Sequence, residues 1–125
     1  MSDSVQGFDR DVWEESLDEV TRILKKTAKR RATIPYSEVT RGLNVIQFGA
    51  EDHRFHALLS DISRREGEQG RPLLTVVVVH KSGDMQPGPG FFELAKSLGR
   101  DFDDIEMFWI QELKRTWKYW SGSDE

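Results

Sequence analysis

Leu73-Leu74-Thr75-Val76-Val77-Val78-Val79-His80 is the stretch whose reading decides the fold. Consecutive valines suit a helix poorly, because a β-branched side chain loses rotamer freedom against the preceding turn. An apolar run without polar alternation points instead to a strand covered on both faces. The sequence therefore predicts a buried core strand from Leu73 to His80, opened by Pro72. Beyond it, Lys81-Ser82-Gly83-Asp84 carries turn chemistry, while Pro87 and Pro89 cannot donate to a ladder. The return limb is expected to be at most a short edge strand, followed by a stiff loop that ends at Gly90.

Upstream of this strand the apolar spacing is helical. Trp13, Leu17, Val20 and Leu24 mark one face of a helix from about Asp9 to Arg31. Pro35 and Gly42 bracket a short second helix. Val45, Ile46 and Phe48 read as an extended link, after which Asp52 caps a third helix with Phe55, Leu58, Leu59 and Ile62 inside and Gly67 at its end. Downstream, Phe91 to Leu98 reads as a fourth helix stopping at Gly99. Asp103 with Glu106 opens a fifth, with Ile105, Trp109, Leu113, Thr116 and Trp120 along one face. The predicted fold class is α+β: a mostly helical, winged-helix-like domain of about five helices around a short β-hairpin or small sheet. Residues 8–120 are expected to form this one domain, with 1–7 and 121–125 as flexible ends.

Composition narrows the function classes. A chain of 125 residues, 37% apolar, can bury one core without covalent staples. The absence of cysteine excludes a disulfide scaffold, a thiolate zinc site and a cysteine nucleophile. Met1 to Gly7 carries neither a basic nor an apolar leader, and the Val76 to Val79 run is too short to span a bilayer, so a cytoplasmic location without a membrane partner is expected. A net charge of −4 gives no global case for binding a polyanion. The distribution is uneven, however. Between Asp9 and Glu19 six acids face one base, then Lys25, Lys26, Lys29, Arg30 and Arg31 follow, and Asp101, Asp103, Asp104 and Glu106 form a second acidic cluster. Acids near helix starts and bases near helix ends complement the helix dipole; the alternative is a basic face for phosphate contact.

No standard catalytic or cofactor motif is present. Gly88 and Gly90 lack the Gly-Lys-Ser/Thr ending of a phosphate loop, and the dinucleotide fingerprint is absent too, so no cofactor is expected. His53 and His56 share a helix face beside Asp52, a spacing more typical of solvated helix surface than of a metal site, and none is expected. Asp61 and Glu66 lie five apart, which does not make two carboxylates converge on a helix.

Thr33-Ile34-Pro35-Tyr36-Ser37-Glu38-Val39 resembles the short-helix opening of the DNA-binding domain in alkylguanine-DNA alkyltransferases and their catalytically dead relatives. Arg54, Ala57-Leu58 and Pro72 with the valine run fall where that family has its recognition helix and its reactive segment. The likeness covers roughly residues 33 to 83 and implies a winged helix whose third helix enters a groove of DNA. The reactive cysteine is missing, with Leu73 near its place and Leu74-Thr75 where a histidine-arginine pair normally follows, so alkyl transfer is excluded. Gly70 to Ala95 is also similar to a group of small bacterial proteins of no assigned activity.

These readings predict a non-catalytic binding module. In one version it contacts a nucleic-acid backbone through Tyr36, Arg54, Arg64, Arg65, Arg71 and Lys81. In the other it is an inhibitor, immunity or complex subunit that docks a protein partner through Met85, Gln86, Pro87, Gly88, Pro89 and Gly90 and the nearby aromatics. Catalysis would need His53, His56, Asp61 and His80 to converge in one concave site.

Overall fold

The valine run does form the centre of the molecule, but most of it is not a strand. Every residue from Leu73 to Val79 is buried. In the computed structural model, which describes residues 4–49, 51–80 and 89–122, Leu74–Val77 make a turn of 3-10 helix and only Val78–Val79 (β4) are extended. The expected strand over 73–80 is thus corrected to two residues. A ladder needs a neighbour, and the neighbour here is the two-residue strand Ile34–Pro35 (β3), paired in parallel with Ile34 opposite Val78 and Pro35 opposite Val79. Pro35 has no N–H to give. The buried backbone amides ahead of β4 find other acceptors: Leu73 N–H donates to the Glu112 carboxylate at 2.7 Å, Thr75 N–H to the Ser63 hydroxyl at 3.2 Å, and Val76 N–H to the Leu73 carbonyl at 3.0 Å. Side-chain preference for a strand yields when pairing partners are lacking.

Three helices wrap this segment: α1 (Arg10–Lys29), α3 (His53–Glu68) and α5 (Ile105–Gly122) each pack against the 3-10 turn. The short helices α2 (Tyr36–Arg41) and α4 (Pro89–Ser97) complete the set, α4 lying against α3. The fold is α+β and mostly helical, 66% helix with two small sheets of two strands each. Trp13, Leu17, Val20 and Leu24 are all buried, as their spacing predicts, and Pro35 and Gly42 bracket α2.

Four local expectations change. The chain start is, from Ser4, a hairpin of β1 (Ser4–Val5) and β2 (Phe8–Asp9), turned by Gln6 and Gly7 at φ of 53° and 86°. α3 does not stop at Gly67 but runs through it, and a Cβ there would lie 3.0 Å from Leu98 and 3.2 Å from Leu73, so the glycine serves close packing. α5 is capped by Asp104 rather than Asp103, its carboxylate accepting from Met107 N–H at 3.1 Å. Of the expected α5 face, Leu113 and Thr116 are buried and Trp109 and Trp120 pack partly buried against the core, but Ile105 is 50% exposed, and Phe108 and Glu112 join the buried side. The expected edge limb lies mainly at 81–88, outside the described residues.

Three helices end in the same pattern, with paired bonds from the two residues past the C-cap. In α3 these are Gly70 N–H to the Gly67 carbonyl and Arg71 N–H to the Glu66 carbonyl; in α4, Gly99 N–H to Lys96 and Arg100 N–H to Ala95. Both turns place glycine in the left-handed region, at φ 75° and 86°. α1 makes the same two bonds, Arg31 N–H to Ala28 and Ala32 N–H to Thr27, but with Arg31 at φ 54°. A side chain in that region costs about 1–2 kcal/mol. A cation beside a helix C-terminus returns only about 0.3–1 kcal/mol. Helix electrostatics therefore do not account for arginine at this position.

Candidate functional site

The β3–β4 register builds a concave hollow. Tyr36 follows Pro35 and His80 follows Val79, so the paired strands deliver both rings to one spot, with centroids 4.9 Å apart. From α3, His53, His56 and Ser60 lie three and four residues apart and share a face turned to the same place. His56 lies on the other side of the Tyr36 ring at 5.2 Å. Leu59, Phe91 and Leu94 supply apolar wall, Gly90 brings the first turn of α4 to the rim, and the cleft holds about 350 Å³. Glu51 is the carboxylate among its described lining residues.

All three histidines of the chain therefore meet Tyr36 in one concave site. Asp61 does not join them. Its carboxylate takes the Trp13 indole N–H at 3.2 Å and pairs with Arg64 and Arg65 elsewhere on α3. An imidazole carries two ring nitrogens that hydrogen-bond, so the cleft sets polar rings beside an apolar wall. Among the described residues no group of three or more His, Asp or Glu side chains is placed to hold a metal.

The arginines expected to meet phosphate are already engaged. Arg54 forks onto Asp52 at 3.0 and 2.7 Å and lies over the Phe8 and Phe48 rings at 5.1 and 5.9 Å. Arg65 forks onto Glu14 at 2.8 and 2.7 Å, and Arg71 onto Glu66 at 3.1 and 2.9 Å. Arg64 pairs with Asp61. Pro89 and Gly90 open α4, whereas Lys81, Met85, Gln86, Pro87 and Gly88 lie outside the described residues. The cleft was missed in the sequence because β3 and β4 are over forty residues apart and the pairing that unites Tyr36 with His80 leaves no local signal.

Asp52 links this region to pH. Its hydrogen bonds from the Arg54 side chain, and from the Arg54 backbone N–H, hold its carboxyl down at about 2 against an ordinary 3.8. Arg65 likewise lowers Glu14. A carboxyl lowered in the folded state adds stability above its unfolded value, and that stability drains away as pH falls through the folded value. The start of α3 is expected to loosen between about pH 4 and pH 2, read as faster amide exchange at Arg54. Asp52→Asn should abolish that titration step; its persistence would assign the step to another group.

Compared with protein-family models, with curated proteins and with solved structures, the chain matches none. Among the described residues, no helix is long and apolar enough to cross a membrane.

Proposed function

We propose that this chain is a non-catalytic recognition module that docks a protein partner by taking one of its side chains into the Tyr36 cleft. The observation that carries the reading is the convergence of Tyr36, His53, His56 and His80 over an apolar wall, beside the turn where the Pro/Gly segment enters α4. A volume of about 350 Å³ is at the low end for small-molecule sites but ample for one aromatic or long aliphatic anchor. Ser60→Trp, which fills the cleft from α3, tests this. Recovery of a stoichiometric partner by the native protein, with at least roughly tenfold weaker capture by Ser60→Trp and unchanged capture by Arg64→Ala, is the expected result. Equal capture by native protein and Ser60→Trp refutes it.

A second reading, contact with a nucleic-acid backbone, is favoured by the basic end of α1. There Lys26, Lys29, Arg30 and Arg31 are all exposed.

A further inference from the structure

The last turn of α1 holds a second surface with a different chemistry. Lys26, Lys29 and Arg30 rim a hollow of about 440 Å³ floored by Ile23 and Ile34, and no carboxylate is among its described lining residues. Arg31 adds a fourth cation, in the one helix-ending turn of the three where an arginine stands in place of glycine. The position would be cheaper as glycine, so the fold retains a charge there against its own backbone preference. Sites where a local rule is broken without structural return are where function is sought.

The negative net charge does not oppose this. Six acids lie from Asp9 to Glu19, just ahead of α1 and along its first half. The 20 residues of the helix put about 30 Å between its two ends, and even Asp18 stands about 12 Å along the axis from Lys26. Screening at physiological salt acts over about 8 Å, so the two ends are electrostatically separate. Glu14 is moreover paired with Arg65, and the buried Glu19 accepts from the Asn44 and Val45 amides.

We infer that this end of α1 binds the phosphate backbone of a nucleic acid, Lys26, Arg30 and Arg31 meeting phosphates and Ile23 and Ile34 packing beneath the sugars. The proposal rests on the second reading above and names the cations that would meet phosphate and the apolar floor beneath the sugars. An anionic membrane fits less well. The large exposed apolar side chains, Val45, Ile105, Met107 and Tyr119, lie outside the lining of this hollow, and a surface helix holds a bilayer by an apolar face.

Fluorescence anisotropy tests it with a labelled duplex and a labelled single strand of about 20 nucleotides, and with phosphatidylserine vesicles as a separate arm. Three phosphate contacts predict a roughly fortyfold loss of affinity from 50 to 200 mM salt. Lys26→Glu with Arg30→Glu and Arg31→Glu should abolish binding, while Arg64→Glu with Arg65→Glu should leave the α1 contribution to the salt slope intact. Arg31→Gly separates function from structure. It should raise Tm by roughly 3–5 °C while lowering affinity severalfold and the salt slope by about 1. Native binding that survives the α1 reversal overturns the inference and leaves the nucleic-acid reading standing. Absence of native binding at 50 mM salt overturns both, and binding to vesicles alone assigns the surface to membranes and overturns the inference.

Discussion

Glu112→Ala is expected to cost about 3 kcal/mol of folding stability, a fall in Tm of roughly 10 °C. Glu112 lies on α5, only 3% exposed, and its carboxylate receives the Leu73 N–H at 2.7 Å and two Arg100 nitrogens at 2.8 and 3.0 Å, with Arg115 at 3.3 Å. The alanine leaves a buried backbone donor without its acceptor at the mouth of the valine segment and leaves Arg100 beside a hole. An unpaired buried donor alone costs about 1–3 kcal/mol. Losing the acceptor of a guanidinium that is only 27% exposed adds the remainder. Glu112→Gln keeps one acceptor for Leu73 but turns an amide toward Arg100, and should cost about half as much. Urea denaturation followed by tryptophan fluorescence gives both values. A loss below about 1 kcal/mol for the alanine variant would falsify the idea that this carboxylate anchors the core segment.

The same carboxylate marks the boundary of what the sequence discloses. Helices α1, α2 and α3 are legible because their signals are local: the spacing from Trp13 to Leu24, Pro35 before a short helix, Asp52 before Phe55. Burial of the valine run is legible as well, since four adjacent β-branched apolar residues have no other favourable place. Its backbone geometry is not. Whether those residues extend or coil depends on what accepts their N–H groups, and the acceptors are Glu112, 39 residues away, and Ser63, 12 away. Charge misleads in a related way. Arg54, Arg64 and Arg65 look like a basic helix face in the sequence, but Glu14, 51 residues before Arg65, turns toward it only in the fold. The cleft is half legible: His53 and His56 announce a shared face, whereas Tyr36 and His80 join them solely through the parallel pairing of β3 with β4.

Trp13→Ala should be the most damaging single truncation, at about 3–5 kcal/mol. Trp13 is 1% exposed, stacks on Phe8 at 6.3 Å, and sends its indole N–H to Asp61 at 3.2 Å. Two effects compete to explain its importance. Bulk joins α1 to the N-terminal hairpin, because Phe8 also meets Phe48 edge-on at 5.8 Å. The hydrogen bond joins α1 to α3 through a carboxylate that already carries Arg64 and Arg65. Because those arginines still satisfy Asp61 when the indole is gone, removal of the N–H alone should cost only about 1–1.5 kcal/mol, and lost volume should dominate. Trp13→Phe is therefore expected to retain most of the stability, and a cycle with Asp61→Asn should return a coupling near 1 kcal/mol. If Trp13→Phe instead proves as harmful as Trp13→Ala, the polar link between α1 and α3 outweighs the packing. The charged network around Asp61 would then be what holds the two helices in register.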